Sequence, residues 1–313
     1  MGQLDIDGNQ SRKVVKIATF ADEIKPGADS TWAYITVLSV PWDRVNVAYE
    51  RMRDDRRTSN YDHELKWRGV SERGLKSKHS PKEELARAWL SRIVHEHDLW
   101  RFSIVGIDTA MLSMSAFGEL RGEQLVNSYR RFYRSNLKRH VSLSHRGADL
   151  VRIERCFHDQ EGRLEIDPWF SRHPIAVSNR KETVEFAEPS IRFVNSCHNK
   201  EQALPKASHF IQMADILGAA SRYVLEAVGR NHARDYIVEP LIPLLERIND
   251  PKQSSNINSR YKHVGRANIS YFPSRALEDH ELEDDILRAQ STFFNGRPLK
   301  LLQERAGQTG LDL

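Results

Sequence analysis

The stretch Ile211-Gln212-Met213-Ala214-Asp215-Ile216-Leu217-Gly218-Ala219-Ala220 decides how this chain is read. It lies in an apolar-periodic segment of about residues 206–228, with Ile211, Ala214, Leu217 and Ala220 at helical spacing. Asp215 is an acid inside that apolar turn, and Gly218, Ala219 and Ala220 follow it. A helix with a stripe of small residues can lie close to a sheet. A carboxylate on it would then sit over strand ends, poorly solvated, where an unpaired charge is costly. A cation is expected beside it. An Asp on the outward side of a core helix would need none, so the rest of the chain has to decide.

The chain has 313 residues, enough for one large domain or two ordinary ones. Hydrophobic residues at 39% and charged residues at 29% fit a soluble globular protein with a real core. No apolar run is long enough to cross a bilayer, and Met1 to Lys13 lacks the apolar centre of a signal peptide. A cytoplasmic protein without membrane attachment is expected. Two cysteines, Cys156 and Cys197, do not make a disulfide framework.

Net charge is +4, and its distribution says more than its sum. Gln124 to Ala148 holds no acid, but carries Arg130, Arg131, Arg134, Lys138, Arg139 and Arg146. Pro251 to Leu277 again holds none, with Lys252, Arg260, Lys262, Arg266 and Arg275, whereas Glu278 to Asp285 is almost all acidic. Separate basic faces suit a polyanion, DNA or RNA. Arg130, Arg134 and Lys138 follow i, i+4, i+8 and share a helix face.

Working outward from the Asp215 helix, the patterning gives a flexible tail at 1–13 and a hairpin of strands Val14–Phe20 and Trp32–Val40. A helix starts near Pro41 and breaks in the region of Asp54 to Asp62. Ser80-Pro81-Lys82-Glu83 opens a helix to about His95, with Ser as N-cap, Pro first and Glu third. Phe102–Ile107 is a strand ending in Asp108, followed by a helix over Glu123–His140. Leu150–Phe157 is a strand running into His158-Asp159, and Ile191–Val194 a short one. Residues 163–189 read as irregular, 235–249 as helix, 250–275 as a polar loop and the end as helical. The expected fold is α/β: a mixed sheet flanked by helices over 14–230, then a C-terminal helical and basic extension over 231–313.

Three strands therefore finish in acids, at Asp22-Glu23, Asp108 and Asp159; Glu64 and Asp215 lie in other segments. Sites form at the carboxyl ends of strands in α/β sheets. Acids gathered there repel unless a cation lies between them, and oxygen ligands favour Mg²⁺ or Mn²⁺. Two such ions about 3.5–4 Å apart clamp the oxygens of a phosphodiester.

Thr19-Phe20-Ala21-Asp22-Glu23, Glu64-Leu65-Lys66 and Phe210-Ile211-Gln212-Met213-Ala214-Asp215-Ile216-Leu217-Gly218 resemble the DUF3800 family. Its members show Asp-Glu-Ser-Gly at the first strand, a Glu-Leu-Lys-like element and a late Leu-Gln-Leu-Ala-Asp-Leu. Here Ile24-Lys25 replaces the Ser-Gly. The resemblance spans residues 14 to about 230. It implies a ribonuclease H-like fold and a metal-dependent nuclease, with a place in defence against phage or mobile elements. It makes Asp22 the first-strand ligand bridging two metals, Glu64 the second and Asp215 the late helical one. The remaining carboxylate is Asp108, favoured by a ribonuclease H topology that puts it on the first strand after the long helix, or Asp159, favoured by the family's strand-Asp pattern. Ser196 corresponds to a serine found shortly before the late motif, and Lys66 could meet phosphate.

Other readings compete. Glu64-Leu65-Lys66 fits half of a restriction-endonuclease core, which needs an upstream acid such as Asp43, Asp54 or Asp55. Cys156, His158, Cys197 and His198 offer zinc-type donors at unusual spacing. A domain of this fold can also be a catalytically silent nucleic-acid-binding subunit, or work with a protein partner.

Overall fold

In a computed structural model of the chain, the residues described are 13–27, 30–70, 78–145, 147–167, 170, 183–188, 190–226, 231–249 and 266–272. The expected tail, most of the basic segment 251–277 and the C-terminal helix lie outside them.

Strands β1 (Val14–Ile24) and β2 (Trp32–Pro41) form the antiparallel hairpin that their alternation predicts, with Asp22 opposite Thr36. β3 (Arg101–Asp108) adds antiparallel to β2. Two helices fill the long connection between them, α1 (Val45–Ser59) and α2 (Pro81–His95). α1 continues through Asp54–Arg57 and stops only at Asn60, whose left-handed φ of 52° ends the helix. α2 begins as its sequence dictates: Ser80 and Glu83 form a reciprocal capping box around Pro81.

After β3 comes the longest helix, α3 (Arg121–Ser144), and then β4 (Leu150–Asp159), which runs parallel to β1. A single turn, α4 (Gly162–Glu165), follows. β5 (Thr183–Phe186) and β6 (Arg192–Val194) both pair parallel with β4. The chain continues into α5 (Pro205–Glu226), α6 (His232–Val238) and α7 (Ile242–Asn249). β7 (Ala267–Phe272) then joins β3 in parallel, completing the order β5-β4-β1-β2-β3-β7 with β6 beside β4.

That last strand corrects one expectation: residues 250–275 are not all loop, since Ala267–Phe272 is a strand. Ala233, Ile237, Leu241 and Leu245 belong to the same buried cluster as Phe20 and Phe210. Arg266, part of a basic run in the sequence, is buried. It donates to the carbonyls of Ile93 and Val94, each at 2.8 Å, at the C-terminal end of α2.

The sheet is covered on both faces. α1, α2, α5, α6 and α7 pack on one side over Phe20, Leu38, Trp89, Trp100 and Phe210. α3 packs on the other over Ile17, Ile35, Val105, Phe132 and Tyr133. Ile17 to Asp22 of β1 are consequently all buried. A strand covered twice reads as a near-continuous apolar run, and Asp22, the one acid within that buried run, stands out. Among the described residues no helix is long and apolar enough to cross a membrane.

Candidate active site

β1, β4 and β6 run parallel, so their C-terminal ends meet at one edge of the sheet. Phe20 pairs with Phe157 and their rings stack at 5.2 Å, under Phe210 of α5. Two residues further on, Asp22 and Asp159 fall on the same side of the sheet by the strand alternation. Asp159 pairs with Val194, which brings Ser196, just past β6, to the same place.

α5 supplies the third acid. From Ala207 to Glu226 every residue is buried except Asp215 and Arg222. A helix apolar on all sides is buried on all sides, so Asp215 marks one of its few openings. Gly218, one turn on, lets the helix approach. A Cβ there would run into Thr36 Oγ1 and come within 3.0 Å of Ile24 Cδ1. Thr36 is the residue opposite Asp22. The small residue after Asp215 therefore sets the distance of the late carboxylate from β1.

Glu64 arrives on the segment between α1 and α2, which α5 holds by a buried amide. Gln212 Oε1 accepts from Leu65 N at 2.8 Å and from Arg56 Nη2 at 2.6 Å, while its Nε2 donates to the Ser196 carbonyl. Arg56 also donates to the carbonyls of Tyr61 and His63 and to His209 Nδ1. One glutamine thus ties three segments together: that of Glu64, that of Ser196, and the helix of Asp215. Glu64 Oε1 in turn accepts from Ser196 Oγ at 2.8 Å and pairs with Lys66 Nζ at 2.9 Å.

The electrostatics show how close these acids are. Burial raises the proton affinity of Asp22 well above its ordinary value, and Asp215 and Asp159 raise it further. Asp215 is pushed up to about 6 by burial and by Asp159 and Glu64, against the opposing pull of the Trp67 N–H and Lys66. Asp159 is also raised by burial, although the Gln160 N–H, Ser196 and Lys66 favour its charge. Ser196 has one hydroxyl proton to offer two carboxylates, Asp159 and Glu64. Besides Lys66, the described cation facing the group is Lys82, which feels Asp215 and Glu64 and donates to the Arg68 carbonyl at 3.1 Å. Among the described residues no group of three or more His, Cys, Asp or Glu side chains is placed closely enough to hold a metal ion as the side chains stand. The donor set nevertheless suits a hard divalent ion: all oxygen, with negative charge in excess.

The structure brings Asp22, Glu64, Asp159, Asp215 and Lys66 to one place. Asp108 lies elsewhere. β3 is two strands from β1, and the register puts Ile104, not Asp108, at the level of Asp22. Asp108 instead accepts from Thr31 Oγ1 and caps the turn at Ala110. Its claim rests on being the acid that follows a long helix. Among the described residues the longest helix is α3, and the strand after it is β4, which ends in Asp159.

The acids needed for a restriction-endonuclease core do not supply one. Asp54 and Asp55 are on α1, paired with Arg57 and Arg92, and Asp43 lies in the turn before it. The zinc-type donors do not assemble either. Cys156 meets Thr19 and Tyr133, and His158 meets Tyr129, all on the α3 side. His198 is against Gln212 on the other side. Arg130, Arg134 and Lys138 are on α3, across the sheet from the carboxylates. Arg134 and Lys138 are exposed, and Arg130 lies 3.9 Å from Asp167.

Sequence reasoning missed Gln212, Arg56 and Lys82. A glutamine one turn before an acid, inside an otherwise apolar helix, is a readable signal for the first. Comparison of the chain with protein-family models and with curated proteins finds no match.

Proposed function

We propose that the protein is a metal-dependent nuclease, hydrolysing phosphodiester bonds of DNA or RNA at the C-terminal edge of a ribonuclease H-like sheet. The observation that carries this reading is the gathering of Asp22, Asp159 and Asp215 at one sheet edge, with Glu64 beside them. The resemblance of three short segments, each contributing to that cluster, supports it. So does the sheet order: an antiparallel β1-β2-β3 extended in parallel by β4.

Asp22, Glu64, Asp159 and Asp215 would hold Mg²⁺ or Mn²⁺. Bound there, such ions stabilise charge on the attacking and leaving oxygens of a phosphodiester. The chain's own residues do the rest. Lys66, fixed by Glu64, offers its ammonium to a phosphate oxygen beside the cluster, and Lys82 gives a second positive charge on that flank. Ser196 orients Glu64 and Asp159 relative to each other. Gln212 and Arg56 act through these groups as positioning residues. The exposed Arg134 and Lys138 suit a strand that wraps the sheet edge, because phosphate contacts supply most of the affinity and little selectivity.

The test is cleavage of single- and double-stranded DNA and RNA with Mg²⁺ or Mn²⁺, comparing the wild type with Asp215→Asn and Lys66→Ala. Asp215→Asn should lower the rate by several orders of magnitude, each factor of ten being about 1.4 kcal/mol of barrier, with nucleic-acid affinity retained. Absence of cleavage by the wild type on all substrates would transfer the site to a silent nucleic-acid-binding subunit.

A further inference from the structure

Behind the carboxylates, on the α3 face of the sheet, described residues line a cavity of about 600 Å³. Pockets for small organic ligands span roughly 300–1,000 Å³. The walls are apolar: Ile35, Ile107, Leu125, Phe132 and Leu164, with the Tyr129 ring among them. The mouth is polar and has a definite arrangement. Lys25 Nζ lies 3.2 Å from Glu23 Oε1 and 2.9 Å from Glu161 Oε2. One ammonium is shared by two carboxylates, and each carboxylate keeps a second oxygen that can accept. Arg163 stands at the same rim.

The position of the mouth relates this cavity to the carboxylate cluster. Glu23 follows Asp22 on β1, and Glu161 lies two residues beyond Asp159. Consecutive strand residues have Cα atoms about 3.8 Å apart and point to opposite faces, which turns Glu23 away from Asp22, and Lys25 joins Glu161, past the end of β4, to Glu23. A single strand that crosses the sheet edge with a phosphate over Asp22 and Asp159 carries its neighbouring base toward Glu23 and Glu161. Bases outside a duplex are commonly read in this way, by their hydrogen-bonding edges and by stacking on aromatic rings.

We propose that this cavity is a base-recognition pocket for the nucleotide next to the scissile phosphate, and that the edge it reads is that of guanine. The inference rests on the nuclease reading for its biological use, but its chemistry is separate. Guanine presents two N–H donors beside a carbonyl acceptor. Glu23 and Glu161 accept from the donors, Lys25 donates to the carbonyl, and Phe132 and Tyr129 give the ring an aromatic wall. Uracil offers one ring N–H on its pairing edge and no exocyclic amine, so it leaves a carboxylate without a partner. A site built to hydrogen-bond its ligand rejects an analogue that lacks the groups.

The experiment measures binding of GMP, AMP, CMP and UMP by calorimetry to the full chain in EDTA, which separates it from metal and from cleavage. GMP should bind tightest, about 10-fold or more ahead of UMP, in line with the discrimination of a bidentate base contact. Leu125→Trp, at a helix position 40% exposed, should fill the cavity and lose GMP binding by at least about 10-fold without unfolding the chain. Glu161→Gln, which keeps the shape and replaces an acceptor oxygen with a donor, should shrink the preference for GMP over UMP. Equal affinity for all four nucleotides, no binding of any, or GMP binding unchanged in Leu125→Trp would each overturn the pocket. Cleavage of oligonucleotides with Mn²⁺ is scored separately. Cleavage without GMP binding would remove the pocket and leave the nuclease; GMP binding with the predicted preference but no cleavage would do the reverse.

Discussion

Replacing Asp215 by Asn should make the metal-free protein more stable, and the size of the gain follows from the site. The fold holds the Asp215 proton up to a pH of about 6, whereas an ordinary aspartate loses it near 3.8. Between those values the native state binds more protons than the unfolded state, so stability falls as pH rises. The loss is complete above the folded value. A difference of about two units is about 3 kcal/mol, at 1.36 kcal/mol per unit. Asn keeps a carbonyl oxygen for the Trp67 N–H and has no charge to be repelled by Asp159 and Glu64. Domains of 150–250 residues shift by about 2–4 °C per kcal/mol. Asp215→Asn should therefore melt roughly 6–12 °C above wild type at pH 8 in EDTA, and level with it near pH 4. Differential scanning calorimetry across pH 4 to 8 measures this directly. Adding Mg²⁺ or Mn²⁺ should raise the wild type's melting temperature and leave the variant's nearly unmoved, since a ligand stabilises only the state that binds it. A variant that melts at or below wild type at pH 8 in EDTA would refute the argument, because Asp215 would then not be an ionised acid held among like charges.

Gly218→Ala tests the close approach of α5 to the sheet: overpacking against Thr36 costs about 1–3 kcal/mol, and the better helix propensity of Ala returns about 1. A net loss seen in urea titration, with a smaller metal-induced rise in melting temperature, is the expected result, and a stabilised variant would count against it. Gln212→Leu leaves the buried Arg56 guanidinium and the Leu65 N–H short of a partner, at about 1–3 kcal/mol each. Its denaturation midpoint should drop at unchanged m-value; an unaltered midpoint would show that the amide ties nothing together. Neutralising Arg130, Arg134 and Lys138 to Gln together should flatten the salt dependence of nucleic-acid binding, the log–log slope easing by about 0.7–0.9 for each phosphate the helix no longer neutralises. An unchanged slope would mark that helix face as ordinary surface.

Much of this was readable where the determinants are local. The Ser80–Glu83 capping box, the β1–β2 hairpin and the apolar stripe of α3 depend on residues within a few positions of one another. The largely apolar helix carrying Asp215 at its middle was readable for the same reason. β7 was not: Ala267–Phe272 is six residues in a polar, basic stretch, and it becomes a strand because β3 offers an open edge some 160 residues earlier. Asp108 and Asp159 looked alike as strand-end acids, and only the order of strands in the sheet separates them. Gln212 and Arg56 were missed because each gains its meaning from segments far along the chain. Two of the partners of Gln212, Leu65 and Arg56, lie 147 and 156 residues away.

The late arrival of β7 bears on how the protein is made. All four clustered carboxylates have been synthesised by the end of α5, yet β3 still has a bare edge at that point, and the last carbonyls of α2 still await Arg266. A ribosome-bound or truncated chain ending near residue 226 would hold every acid of the site and still expose a strand of eight residues, Arg101–Asp108, to pairing with another copy. Non-local pairing of this kind is slow and open to aggregation while it waits. The six residues of β7 thus decide whether the nascent sheet closes on itself or on its neighbour.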